Sequence, residues 1–179
     1  AHSFSCGSIT DYDTVIEFGK DKDLITVEIE NVNIEALEAL EQNGVKIFPQ
    51  PRVLRIIKDK GIQKQFYVDH NIPTAPFTLY DNANALEEAN ISYPIIQKMR
   101  TGGYDGKGVQ LLQQSSDSYD APNLCESLID FDKELSVIVA RNENGDVQCF
   151  PSVECEFNSE ANLIEYLFSP ANISKEITQ

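Results

Sequence analysis

An α/β region that gives way to an α+β region is the fold class this sequence predicts, and three observations predict it. Over residues 11–51, stretches with helical apolar spacing alternate with short β-branched runs, the pattern of a parallel sheet with crossover helices. From about Pro76 onward the strand-like runs read as antiparallel. Between two of them, residues 94–96 and 109–112, Gly102, Gly103, Gly106 and Gly108 crowd into seven positions. That spacing predicts a hairpin whose tip carries almost no side-chain bulk.

Each element has its own signal. Asp11 is placed to cap a short helix ending at Gly19, with Val15, Ile16 and Phe18 as its apolar residues. Residues 24–30, rich in β-branched side chains, predict a strand. Asn33 caps the next helix, on which Ile34, Leu37 and Leu40 recur at helical spacing, and Asn43 and Gly44 end it. Residues 45–48 predict a second strand, closed by Pro49 and Pro51. Residues 52–69 read as helical with an interruption near Gly61, mixing Leu54, Ile57, Phe66 and Val68 with Lys58, Lys60 and Lys64. A turn over 71–77 leads into a strand at 77–80, followed by a short helix over 82–89. The run 94–96 predicts a buried strand with Lys98 at its end, and 109–112 resumes a strand after the glycines. Residues 113–123 are polar and predict a loop; 124–129 predict a strand running into an extended segment. Residues 134–141 show little polar alternation, which predicts one long strand buried on both faces. A hairpin turn at 142–146 and a return over 147–155 follow, and 171–179 read as a helix just beginning. No internal repeat is visible.

Composition narrows the function. The 179 residues suffice for one substantial domain or two small ones, and 41% apolar with 24% charged residues is globular usage. No run nears the ~18 apolar residues of a membrane helix, and no signal-peptide pattern is present. A formal charge of −15 argues against a nucleic-acid or anionic-membrane partner, whose phosphates need net positive surface. A small anion remains possible where local lysines outweigh the global sign. Cys6, Cys125, Cys149 and Cys155 lack C-x-x-C spacing and have only His2 and His70 for company, which argues against structural zinc. Scattered single cysteines suggest reduced thiols and a cytoplasmic chain, with Cys125 and Cys149 expected in the core. Both ends read as cut, the first residue being Ala1 rather than Met, so a fragment of a longer enzyme is expected.

The glycine loop carries the chemistry. Glycine takes positive φ at little steric cost, so successive backbone N–H groups can close on an anion. Lys98 and Lys107 set a cation on either side, and the reading is a phosphate-gripping flap. No Ser or Thr follows Lys107, so this is not a G-x-x-x-x-G-K-[ST] loop; nor does it open a helix as a dinucleotide fingerprint should. Glycines alone would also suit a surface hairpin without a ligand. The lysine before the loop, the paired glycines and Asp105 favour a nucleotide.

In this order, Lys60, residues 71–77, Lys98, the loop Gly102-Gly-Tyr-Asp-Gly-Lys-Gly108, Glu126 and residues 131–141 resemble the ATP-grasp enzymes. Within them the loop and the 134–141 run are most similar to the 5-(carboxyamino)imidazole ribonucleotide synthases, the ATPase-subunit type of purine synthesis. The resemblance covers essentially the whole chain. It implies an ATP-grasp fold preceded by part of a Rossmann-like pre-ATP-grasp domain. Residues 1–52 would be the latter half of that domain and 53–74 a helical connection. Residues 75–130 would be the small ATP-grasp subdomain with its flap, and 131–179 the start of the larger one.

The activity it implies is an ATP-, magnesium- and bicarbonate-dependent carboxylation of aminoimidazole ribonucleotide through carboxyphosphate, in a cytoplasmic enzyme that is a homodimer when complete. Lys60 and Lys98 would contact ATP phosphates, though relatives often have Arg at the first position. Gly103, Tyr104, Asp105, Gly106, Lys107, Gly108 and Val109 would form the flap. Glu126, Ser127, Leu128 and Ile129 would be the adenine hinge, and Glu134 would accept from the ribose hydroxyls. Glu28, Tyr104 and Asp105 would face the imidazole nucleotide. Phe157 stands where many relatives have a His, and the magnesium ligands are expected outside this chain, which alone should be inactive. Glu126, Glu134 and Glu28 also suit ordinary solvated carboxylates, and Tyr104 a packing role. A formate-dependent glycinamide ribonucleotide transformylase, a biotin carboxylase, or an ATP-binding module without catalysis are the other readings; the Tyr104-Asp105 pair speaks against the two enzymes.

Overall fold

In the computed structural model, residues 3–103, 107–158 and 163–178 are described. Helix α1 (Tyr12–Gly19) starts where expected because Asp11 Oδ2 accepts from the Thr14 backbone N–H at 2.8 Å and from its hydroxyl at 2.6 Å. Strand β1 (Leu24–Thr26), helix α2 (Ile34–Gln42) and strand β2 (Lys46–Phe48) follow, and β1 pairs with β2 in parallel. Asn33 caps α2 through the Ala36 N–H, and Gly44, at φ +93°, turns the chain back toward the sheet. The expected strand over 24–30 stops at Thr26: β2 ends at Phe48, whose carbonyl still takes the Val27 N–H at 3.2 Å, and residues 28–30 form a bend. Val15, Ile25, Leu37, Leu40, Ile47 and Leu54 close the core between these elements.

Helices α3 (Pro51–Lys58) and α4 (Lys60–Asp69) are two pieces, as expected, but the break falls at Asp59 rather than Gly61. Asp59 takes an extended conformation and its Oδ1 accepts from the N–H groups of Gly61 and Ile62, so it ends one helix and caps the next. Gly61 is small for another reason: a Cβ there would lie 2.7 Å from Nε of Arg100.

Strand β3 (Phe77–Tyr80), helix α5 (Ala83–Glu87), strands β4 (Ile95–Met99) and β5 (Val109–Leu112), a 3-10 turn (Ser115–Asp117) and strand β6 (Asn123–Ser127) come next. They build a four-stranded sheet in the order β3-β6-β4-β5, with β6 antiparallel to both its neighbours. Leu86, Ile95, Leu112 and Cys125 are its core.

The remainder holds strands β7 (Glu134–Ser136), β8 (Val139–Arg141), β9 (Val147–Cys149), β10 (Val153–Asn158) and β11 (Leu163–Phe168), then helix α6 (Lys175–Thr178). One antiparallel sheet runs β11-β10-β7, and among the described residues β8 pairs with β9 alone, across the 142–146 turn. The long doubly buried strand expected over 134–141 is therefore two short ones in different sheets, and every residue of it is exposed. Burial on both faces needs a layer on each, and apolar content alone does not supply one. Cys149, expected in the core, is exposed for the same reason, whereas Cys125 is buried. Two compact units result: the residues up to 102 with 110–127, and 103–109 with those from 128 onward. Among the described residues no helix is long and apolar enough to cross a membrane.

Candidate functional site

Glu126 lies on β6, a strand flanked on both sides, opposite Phe77 and Ile96 in the register of its neighbours. Only 5% of it is exposed. A buried carboxylate must be paired or neutralised, and two lysines pair it. Lys98 reaches Oε2 from β4 at 2.6 Å, and Lys64 of α4 meets Oε1. The Lys64 contact is an ion pair rather than an aligned hydrogen bond. Lys64 also donates to the hydroxyl of Thr74 and lies 5.7 Å from the centre of the Phe77 ring. Burial pushes the Glu126 pKa up, but the two ammonium groups outweigh it, and the carboxyl ends below its ordinary value.

The same strands hold the start of α4. The Lys60 N–H donates to the Arg100 carbonyl at 2.9 Å, and Arg100 grips Asp59 with two bonds, Nε to Oδ1 at 3.0 Å and a terminal nitrogen to Oδ2 at 2.7 Å. Burial raises the Asp59 pKa, yet Arg100 and the capped N–H groups bring it below the ordinary value. Lys60 and Lys64 stand one turn apart on one face of α4, so the helix offers two cations on that face.

Beyond Lys98 the chain enters the glycine loop, with Gly102 at φ +78° and Gly108 at φ +75°, a region L side chains avoid. At Gly103 an added Cβ would come within 2.6 Å of the Lys107 carbonyl, so the loop closes on itself at its base. Tyr104, Asp105 and Gly106 lie outside the described residues. Lys107 is exposed, and Val109 begins β5. Under the hairpin sits a polar group that sequence reasoning did not single out. Gln97 is completely buried, its amide donating to Ser118 Oγ at 2.6 Å. Its Oε1 accepts from Gln110 at 2.7 Å and from the Tyr119 N–H at 3.1 Å.

Ser127 is exposed and bonds Pro76 through its N–H at 3.0 Å. In the other unit Leu128 and Ile129 are exposed, and Glu134 is exposed as the first residue of β7, opposite Cys155. Phe157 is also exposed, at the position where the β10–β11 register shifts. Glu28 sits in the bend after β1, on the wall of a separate cleft of about 950 Å³ that also involves Phe18, Ile25 and Ile29. The structure thus brings together Lys98, Glu126 and the unforeseen Lys64; Glu28 lies elsewhere in the same unit. The available signal for Lys64 was its spacing of four from Lys60.

Residues 65–179 match the model of the ATP-grasp domain. The chain belongs to the ATP-grasp family. Residues 1–58 match the ribonucleotide synthetase preATP-grasp domain, so an ATP-grasp fold follows a pre-ATP-grasp region, as the sequence implied. The N5-carboxyaminoimidazole ribonucleotide synthase of Synechococcus elongatus is 36% identical over 84% of this chain and 40% of its own length. A phosphoribosylaminoimidazole carboxylase of Ogataea methanolica is 34% identical over 96% of this chain and 33% of its own. Among solved structures, carboxyaminoimidazole ribonucleotide synthase of Aspergillus clavatus complexed with ATP superposes with a TM-score of 0.87 at 29% identity, covering 96% of this chain and 47% of that one. The same enzyme in complex with ADP and 5-aminoimidazole ribonucleotide gives a TM-score of 0.83. This ATP-grasp chain therefore spans less than half the length of the relatives it matches.

Proposed function

We propose that this chain supplies ATP-binding elements of an ATP- and bicarbonate-dependent ligase that carboxylates 5-aminoimidazole ribonucleotide, in the cytoplasm and as a homodimer when complete. The observation that carries the reading is the strand pair β4–β6. It sets a lysine ammonium, 30% exposed, on a buried carboxylate immediately before a glycine loop. The fold likeness, over 96% of the chain, to an enzyme holding ADP and 5-aminoimidazole ribonucleotide supports the substrate. Four unpaired cysteines accord with a reducing compartment.

In this reading a bicarbonate oxygen attacks the γ-phosphorus of ATP, the bond to the ADP oxygen breaks, and carboxyphosphate forms. The amine nitrogen of the imidazole nucleotide then attacks the carboxyl carbon, phosphate leaves, and the nitrogen gives up a proton. Lys98 and Lys60 neutralise phosphate oxygens, and amides of the 103–109 loop cover them; such catalysis is mostly positioning and charge neutralisation. Residues 126–129 receive adenine, and Glu134 accepts from the ribose hydroxyls. Glu28, Tyr104 and Asp105 face the imidazole nucleotide. Among the described residues no three His, Cys, Asp or Glu side chains cluster to hold a metal, so these residues do not fit a magnesium site.

The test is phosphate release from ATP by this chain joined to the remaining part of the Synechococcus relative. Release should depend on both bicarbonate and 5-aminoimidazole ribonucleotide. Release indifferent to either substrate would overturn the proposal.

A further inference from the structure

Two ammonium groups on one buried carboxylate are one more than charge balance requires. Lys64 is 12% exposed and Lys98 30%, on a Glu126 side chain 6% exposed. The two cations are not equivalent. Lys64 is fixed from three sides, by Glu126 Oε1, the Thr74 hydroxyl and the Phe77 ring. Lys98 is described with one partner, Oε2 of Glu126, and extends from a strand that leads into the glycine loop.

We infer that Lys64 is a standing counter-ion that keeps Glu126 neutralised when Lys98 leaves it for a nucleotide phosphate, and is thereby a positioning residue for phosphate binding. The inference rests on the proposed ATP role of Lys98. The physical ground is the cost of an unpaired buried charge. With a single lysine, moving the ammonium to a phosphate would strand a buried carboxylate, which is strongly unfavourable. With Lys64 in place, Glu126 keeps an ion pair throughout, and Lys98 can be shared between the carboxylate and an incoming anion. The group also carries one net positive charge, which favours an anion at the exposed end. Lys64 itself is held by Thr74 and Phe77 and acts through Glu126.

Acetylation of Lys98 by acetic anhydride, read by mass spectrometry without nucleotide, tests the inference directly. Removing Lys64 should leave Lys98 as the sole partner of Glu126 and slow its acetylation. In Lys64→Met the slowing should be about fivefold, the scale of coupling between residues in one ion-pair network, and ATP binding should weaken by a similar factor. Lys64→Arg should restore both. In a Glu126→Gln background, where no buried charge needs a counter-ion, Lys64→Met should change neither. Lys64→Gln, which keeps a polar atom for Thr74, carries the same comparison if the Met variant does not fold. Lys98 acetylation unchanged or faster on loss of Lys64, or slowed equally in the Glu126→Gln background, would overturn the inference. Absence of ATP protection of Lys98 in the wild type would instead count against the nucleotide reading, and the labelling comparison would still decide the role of Lys64.

Discussion

Glu126 shows how one residue ties stability to the site. Its carboxyl is held below the ordinary range, so in the folded state it binds its proton less readily than in the unfolded chain. The stabilisation is fully present above the unfolded value near 4.5 and is lost as pH falls through the lower native value. Glu126→Gln, which leaves two lysines beside a neutral amide, should cost about 2 kcal/mol at pH 7, the range of charge-assisted hydrogen bonds. Urea midpoints of wild type and variant, followed from pH 7 down to 3, should converge at the acid end. A constant gap would contradict the ion-pair account. Lys98 and Glu126 were singled out in the sequence because each stands at a recognisable point, one before a glycine loop and one before an extended segment, but their ion pair was not foreseen. Lys64 was not singled out, since a lysine among Lys58 and Lys60 on a helix reads as a solvated face until tertiary packing sets α4 against β6. Cys125 is a similar case with a plain outcome: burial pushes its thiol up to about 11, so it is protonated at neutral pH and serves as core.

Elements whose signals are local were read correctly. Asp11 and Asn33 cap α1 and α2 as short polar side chains at helix starts should, and Asn82, read as the first residue of a helix, caps α5 instead. The break between α3 and α4 was misplaced by two residues, because Gly61 resembles a helix breaker whereas its purpose is to admit Arg100. Residues 134–141 failed for a longer-range reason: whether an apolar run is buried depends on what covers it, and its own spacing cannot say. Strand β11 was left unassigned altogether. The β4–β5 hairpin yields two tests. Gln97→Leu should cost about 1–3 kcal/mol, because the Tyr119 N–H, Ser118 and Gln110 lose a buried partner. Chemical denaturation measures it, and an unchanged midpoint would show that the network is dispensable. Gly103→Ala must displace the Lys107 carbonyl, so it should weaken ATP binding while leaving the unfolding midpoint of the sheet within about 0.5 kcal/mol of wild type. ATP titration beside a urea melt separates the two effects.

At the scale of the molecule, apolar burial is uneven. Two core clusters lie in the first unit, whereas Cys155 is the buried residue among those described in the second. Native-state hydrogen exchange should therefore find amides of β8 and β9 opening at lower free energy than those of β4 and β6. Equal protection would mean that stability is spread more evenly than burial suggests. The change from parallel to antiparallel pairing near Pro76 was legible, since it follows from the order of short-range patterns. The central claim is that Lys98 and the glycine loop that follows it in the chain grip the phosphates of ATP. Calorimetric titration of ATP into the wild-type chain and into Lys98→Ala tests it most directly. The account predicts saturable binding to the wild type and about tenfold weaker binding to the variant, the worth of one charge-assisted contact. Equal affinities, or no saturable binding to the wild type, would contradict it.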